Sequence, residues 1–194
     1  MEKTAIQFEA GIVFDDDTIR RMFRAEYYTY ETVQRLLRLI LGMAGILATL
    51  FLNLPAAARV IFLMFGVWLL VAGDFPSKVL AEGVIEKRGG KSSQVRYRFR
   101  PDGVQIEGSG FIPYRSLDKL VYDEEYLYLF VNRQNAVMLS VRTVKPADPE
   151  RLRALIEKES GKVWKRLTTG ILEYNIRDIL TATDSLRKNK SKAG

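Results

Sequence analysis

Two uncharged stretches dominate the middle of the chain. Leu39–Ala58 runs for 20 residues without a charge (LILGMAGILATLFLNLPAAA), and after Arg59 a further 14 follow from Val60 to Gly73 (VIFLMFGVWLLVAG). A helix that crosses a bilayer needs about 20 mostly apolar residues at about 1.5 Å each. Leu39–Gly73 is therefore too long for one crossing and suits two. Pro55 lacks an N–H and disfavours helix at Leu54, so Asn53-Leu54-Pro55 is the predicted turn. The pattern predicts a first helix over about Leu36–Asn53 and a second over about Ala56–Gly73. A soluble domain of this size has no room for two helices apolar on all sides, and the pair reads as a transmembrane hairpin. The first stretch begins too far along the chain to read as a cleaved leader. Arg59 falls within a turn of the bilayer edge, where its long stem reaches water. Gly42, Gly45, Ala48 and Thr49 recur at spacings that allow close helix approach. Packing of the first helix on the second is the favoured reading, with a homodimer interface as the alternative. No acidic or amide side chain lies in mid-span, which argues against transport.

On either side the period changes. Ile6, Phe8, Ala10, Ile12 and Phe14 mark a strand in the N-terminal arm. Asp15-Asp16-Asp17-Thr18 follows and precedes a helical face of Ile19, Met22, Phe23, Tyr30 and Val33. Asp at a helix start accepts orphan N–H groups, so this acidic run reads as a cap; an Asp-x-Asp metal site has no partner carboxylate. Tyr27, Tyr28 and Tyr30 suit the membrane interface or packing on a neighbouring domain. After Gly73 the chain reads as short strands. Val84-Ile85-Glu86 leads into Arg88-Gly89-Gly90-Lys91-Ser92, a hairpin signal. Val95, Tyr97 and Phe99 alternate with Arg96, Arg98 and Arg100, and Pro101-Asp102-Gly103 is a turn. Val104–Ile106, Phe111–Arg115, Lys119–Asp123, the run YLYLFV and Ala136–Val144 complete six or seven meander strands. Asp148-Pro149-Glu150 then opens a helix, with Asp as the cap and Pro at the first position. Its apolar face is Leu152, Leu155 and Ile156, and it ends near Ser160-Gly161.

The expected fold is a membrane α-hairpin plus an α+β cytosolic domain. That domain is a small antiparallel β-barrel or sandwich of pleckstrin-homology-like type, capped by a C-terminal helix. Residues 1–35 are a cytosolic strand and juxtamembrane helix, 36–74 the hairpin, 79–160 the domain, and 161–194 a tail. In the tail, Leu167, Ile171, Leu172, Ile176, Ile179, Leu180 and Leu186 recur at near-helical spacing beside Arg177, Arg187, Lys188, Lys190 and Lys192. It can lie on an anionic membrane, pack on the domain or a second chain, or end in disorder.

Charge refines this picture. Residues 1–78 carry 8 basic and 8 acidic side chains, residues 79–160 carry 14 and 12, and residues 161–194 carry 8 and 3. Arg20, Arg21, Arg24, Arg35 and Arg38 precede the hairpin and Lys78, Lys87, Arg88 and Lys91 follow it, against Arg59 alone at the turn. The excess of positive charge on that side places both termini in the cytoplasm. The basic residues outside the tail are nearly balanced, which disfavours nucleic acid as a partner. No histidine and no cysteine occurs. Thiolate zinc sites, cysteine nucleophiles and histidine acid–base chemistry are excluded.

The residues Phe99-Arg100-Pro101-Asp102-Gly103-Val104, Ile112-Pro113-Tyr114-Arg115-Ser116-Leu117-Asp118-Lys119-Leu120, Tyr126-Leu127-Tyr128-Leu129, and Leu139 onward into Asp148-Pro149-Glu150-Arg151-Leu152 resemble the YcxB-like family of bacterial membrane proteins. The resemblance extends over the hairpin and on to about residue 160. It implies a membrane hairpin with a pleckstrin-homology-like cytosolic domain in the bacterial inner membrane, and it implies no catalytic residues. The chain departs from the family at Ser140-Val141-Arg142, where a Pro and a basic pair are common.

Candidate chemistry is sparse. Gly89-Gly90-Lys91-Ser92 looks like a P-loop, but the motif's first glycine falls on Ile85 and a strand, not a helix, is expected next. Lys87, Arg88 and Lys91 follow the membrane exit and are the candidate lipid-headgroup site; a solvated turn serving topology is the alternative. Arg96, Arg98 and Arg100 share a strand face, either wet or an anion groove. Asp118, Asp123, Glu124 and Glu125 read as turn chemistry. The expected function is therefore a non-enzymatic membrane protein that needs no cofactor. Its cytosolic domain meets anionic lipid headgroups, a protein partner or a second copy of the chain. The alternatives are a membrane-bound enzyme using carboxylate and lysine groups, and an oligomeric pore.

Overall fold

A computed structural model describes residues 7–168. The predicted amphipathic tail lies almost wholly outside the described residues. The described chain is α+β and divides into two compact units, residues 7–26 with 78–167 and residues 27–77.

In the second unit α2 spans Thr32–Phe51 and α3 spans Ala56–Val71. Pro55 occupies the N-cap of α3, as its missing N–H requires. Close approach is written into the glycines. A Cβ placed on Gly66 would lie 2.8 Å from the Gly42 carbonyl oxygen, and one on Gly42 would lie 2.9 Å from the Leu70 side chain. The small residues thus pack α2 on α3. The large apolar side chains point away from this seam: Phe51 is 80% exposed, Leu50 71% and Met64 69%. α2 is long and apolar enough to cross a membrane, and only 22% of its apolar window is buried. α3 is 16 residues long, and a short break separates it from α4 (Phe75–Arg88). Arg35 and Arg38, inside the first turns of α2, fold back on the preceding helix. The Arg35 guanidinium lies 4.1 Å from the Tyr28 ring centre, and Arg38 Nη1 donates to the Tyr27 hydroxyl at 2.8 Å.

The first unit contains two four-stranded sheets. β1 (Phe8–Phe14), β2 (Ser93–Arg100), β3 (Gly103–Ile106) and β4 (Phe111–Pro113) form one, in that order. β7 (Ala136–Ser140), β6 (Tyr126–Phe130), β5 (Lys119–Tyr122) and β8 (Trp164–Arg166) form the other. The expected barrel does not close: among the described residues the two sheets share no ladder, and the isolated bridge from Glu9 in β1 is to Lys145, past the end of β7. Two 3₁₀ turns explain this. Tyr114–Ser116 cuts β4 to three residues, and Val141–Thr143 ends β7 before the predicted Val144. The N-terminal arm, read from sequence as a separate element, is an edge strand of this unit, and β8 extends the unit past residue 160 by pairing parallel to β5.

A second correction concerns Val84-Ile85-Glu86, which is helical and not a strand. Ala81, Val84 and Ile85 stand at helical spacing and Ala81 is fully buried. The glycines that resemble a hairpin end the helix instead. Gly89 and Gly90 have φ of 60° and 72°, and Gly89 N–H donates to the Ile85 and Glu86 carbonyls.

The core follows the alternation. Phe8, Ala10 and Ile12 face inward from β1, and Tyr97 and Phe99 from β2. In β6 four successive residues, Leu127 to Phe130, are buried, so both of its faces are covered. α1 (Asp16–Tyr30) runs along this strand: Arg21 Nη1 meets Glu125 at 2.6 Å at one end and Glu26 meets Arg133 at 3.4 Å at the other. Asp15 caps α1 by accepting from the Thr18 N–H at 2.8 Å, which holds its carboxyl below the usual range. α5 (Pro149–Ser160) starts as predicted, with Asp148 accepting from the Arg151 N–H, and buries Leu152 and Ile156.

Candidate functional site

Three segments of the first unit build one open groove of about 780 Å³. β1 and β2 pair antiparallel, so directly opposite residues put their side chains on the same face. On the exposed face Glu9 stands opposite Arg98, Gly11 opposite Arg96 and Val13 opposite Gln94. The third segment, Ser140–Lys145, lies along the free edge of β1. Glu9 and Lys145 exchange backbone hydrogen bonds at 2.7 Å. The Thr143 hydroxyl accepts from the Gly11 N–H at 3.1 Å and donates to the Gly11 carbonyl at 2.7 Å. The edge of β1 is thus covered, and the pairing brings Arg142 and Lys145 to the same groove as Arg96 and Arg98.

The groove is cationic by composition and by lack of compensation. Its acidic members are Glu9 and Asp15, and Asp15 is occupied as a helix cap. Arg98 meets Glu9 and Glu107 only at 3.6 and 3.9 Å, and Arg142 meets Glu125 at 3.5 Å. No carboxylate lies within 4.0 Å of Arg96 or of the Lys145 ammonium among the described residues. Gln94, Ser140 and Thr143 are among its neutral polar groups, with Thr18, Tyr97 and Tyr126.

A second cavity, of about 360 Å³, is filled with its own interactions. The Arg153 guanidinium lies 3.8 Å from the Tyr122 ring centre and 5.6 Å from that of Trp164, and its Nη1 reaches Glu150 at 2.9 Å. The Asp123 region has a structural task, as the sequence predicts. One carboxylate oxygen accepts from the Glu125 and Tyr126 N–H groups at 2.8 and 2.7 Å, and the other accepts from the buried Tyr128 hydroxyl at 2.8 Å. Burial and the Asp123 carboxylate push the Tyr128 hydroxyl's pKa well above its ordinary value. Asp123→Ala leaves that hydroxyl buried without its acceptor, and we expect a loss of about 2–3 kcal/mol. Tyr128→Phe, which keeps the turn bonds, should cost about 1 kcal/mol. Urea unfolding of both variants checks the order, and equal losses would contradict it.

Sequence-predicted residues divide cleanly. Arg96 and Arg98 line the groove and Arg100 does not. Lys87 and Arg88 form the last turn of α4, Lys91 follows the glycine cap, and none of the three lines the groove. The end of a helix carries partial negative charge, which accounts for the two cations there and disfavours an anion. Arg88 also donates to the Ser93 hydroxyl at 2.9 Å. Gly11, Thr143 and Lys145 were missed by sequence reasoning. Only the glycine left a local signal, an outward position of an alternating strand without a side chain.

Comparison with known proteins bears on part of this unit. No curated protein and no solved structure matches the chain. A family model described as YcxB-like protein matches residues 99–156. The match runs from Phe99 in β2 to Ile156 in α5, less of the chain than the sequence resemblance covers. It includes the Ser140–Lys145 wall of the groove and leaves out β1, Arg96 and Arg98. Residues 99–156 are accordingly similar to YcxB-like protein, and the strands and helices on either side lie outside that match.

Proposed function

We propose that this chain is a non-enzymatic membrane protein in which α2 and α3 cross the bilayer as a hairpin. Residues 7–26 and 78–167 then form a cytosolic binding module. The observation that carries this reading is the exposure of the large apolar side chains on both helices, Leu37, Ile40, Leu47, Leu50, Phe51, Ile61, Met64, Trp68 and Val71 among them. Lipid is the solvent that makes such a surface stable. The predominance of Lys and Arg on the flanks over the single Arg59 at the turn supports cytoplasmic termini. The YcxB-like segment supports a bacterial inner-membrane location, since the family it resembles consists of bacterial membrane proteins.

Two antiparallel meanders, β2–β3–β4 and β5–β6–β7, followed by one helix support a pleckstrin-homology-like arrangement for the module. A binding role is favoured over catalysis because the carboxylates serve as caps, turn acceptors and ion-pair partners. Asp15 caps α1, Asp123 holds its turn and Glu125 pairs with Arg21. The cationic groove is the surface the module offers, and anionic headgroups or an acidic partner are the ligands it suits.

The test is fractionation with topology reporters. The full chain should stay with membranes through alkaline carbonate extraction, and reporters fused to either terminus should both read as cytoplasmic. A polypeptide that dissolves without detergent, or termini on opposite faces, would refute the hairpin.

A further inference from the structure

We infer that the hollow above Gly11 is a binding site for a phosphoryl-type dianion, held by Arg96 and Lys145 with Arg98 beside them; this deepens the binding-module reading and rests on it. Exposed arginines on a strand ordinarily need no explanation beyond solvation. Gly11 is what changes the balance. Glycine inside a strand weakens it and lacks a side chain to pack, so it ordinarily marks a bulge, a sharp bend or a close approach by another group. None of the conformational reasons applies here. The φ of Gly11 is not in the left-handed region, and the registers Ala10↔Tyr97, Gly11↔Arg96 and Ile12↔Val95 pass through it without interruption. Nor does crowding require it. A Cβ at this position would meet only the Val95 carbonyl oxygen, at 3.4 Å, an ordinary contact. The strand forgoes a Cβ that the fold would accommodate, and it does so directly opposite Arg96.

The hollow this leaves has Glu9 two residues along β1 on the same face, held by Arg98 at 3.6 Å, and cations around the rest of it. Arg96 faces it across the ladder, Arg98 stands two residues along β2, and Lys145 is paired to Glu9 along the other edge. Arg96 and Lys145 contribute two positive charges with no carboxylate within 4.0 Å among the described residues. Two such charges match a dianion, and a guanidinium fork with an ammonium suits phosphate oxygens through paired, charge-assisted hydrogen bonds. The Thr143 hydroxyl is engaged with the β1 backbone and sets the wall. A phosphate can come from a lipid headgroup or from a soluble phosphoester, and the same groups would hold either.

The experiment uses the full chain in phosphatidylcholine nanodiscs, with pyrophosphate as the probe in calorimetric titration. Wild type should bind it. Gly11→Val, which fills the hollow, and the double variant Arg96→Gln/Lys145→Gln should each weaken binding by about tenfold or more. Lys87→Gln/Lys91→Gln should leave binding unchanged. Should Gly11→Val melt early, the double variant, altered only at exposed side chains, decides the matter. No binding by wild type, or wild-type affinity in the double variant, overturns the site. In nanodiscs of equal parts phosphatidylcholine and phosphatidic acid, whose phosphomonoester is the lipid dianion, loss of the pyrophosphate response identifies a lipid headgroup as the occupant, and its persistence identifies a soluble phosphoester. A chain that enters nanodiscs yet ignores these substitutions removes the anion site and leaves the anchored module standing. A chain that needs no nanodisc removes the membrane reading instead.

Discussion

Gly66→Leu should separate α2 from α3. The added Cβ alone would lie 2.8 Å from the Gly42 carbonyl oxygen and 3.1 Å from the Ile46 backbone nitrogen. These neighbours are backbone, so neither can rotate out of the way; only movement of a whole helix makes room. Apolar side chains gain nothing from one another in lipid that they do not gain from lipid itself. The pair therefore depends on close backbone packing, which the larger side chain prevents. The expected cost is about 3 kcal/mol, at the upper end for overpacking. Thermal unfolding of the detergent-solubilised chain, followed by circular dichroism, reads it out. Gly73→Leu is the control, because the nearest atom to a Cβ there is the Leu70 carbonyl oxygen at 4.0 Å. Similar melting of the two variants would show that the helices do not rely on this seam.

The second large effect is expected from Phe99→Ala, about 3–5 kcal/mol. Phe99 is fully buried and stands in β2 between Phe8 of β1 and Val104 of β3, so its ring holds three strands of the first sheet. Truncation removes the ring and leaves a cavity that the ladders on both sides keep from collapsing. Because β1 has one sheet neighbour, it should loosen first, and the groove with it. Hydrogen exchange should therefore rise earliest at Ala10 and Ile12, and urea unfolding should shift to a lower midpoint with the same slope. Unchanged protection in β1 would mean that the Thr143 and Lys145 contacts hold that strand unaided.

Local signals were read well where a single element carries them. Asp148-Pro149 marked the start of α5, and Pro55 marked the break between α2 and α3 within a few residues. The alternation of Tyr97 and Phe99 with Arg96 and Arg98 separated a buried from an exposed face. A local pattern misleads where it has two solutions. Gly89-Gly90 serves a hairpin and a helix stop equally well, and the burial of Ala81 decided for the helix. Lys87 and Arg88, near the predicted membrane exit along the chain, lie in the last turn of α4, and Lys91 lies three residues past its end. The groove was half legible: Arg96 and Arg98 were visible as a pair, and their partners were not.

The apolar stretches, their lengths and the residues that interrupt them were sufficient, taken alone, to define two long helices and a strand-rich remainder. The reason is that helix and strand periods, caps and proline breaks act within a few residues. What depended on tertiary structure is the groove. Gly11 and Thr143 lie 132 residues apart, and only the pairing of the chain against the free edge of β1 brings Lys145 to the same groove as Arg96. Contacts at that separation are decided by how two sheets and a helix share one core, a property of the whole unit that no local stretch encodes.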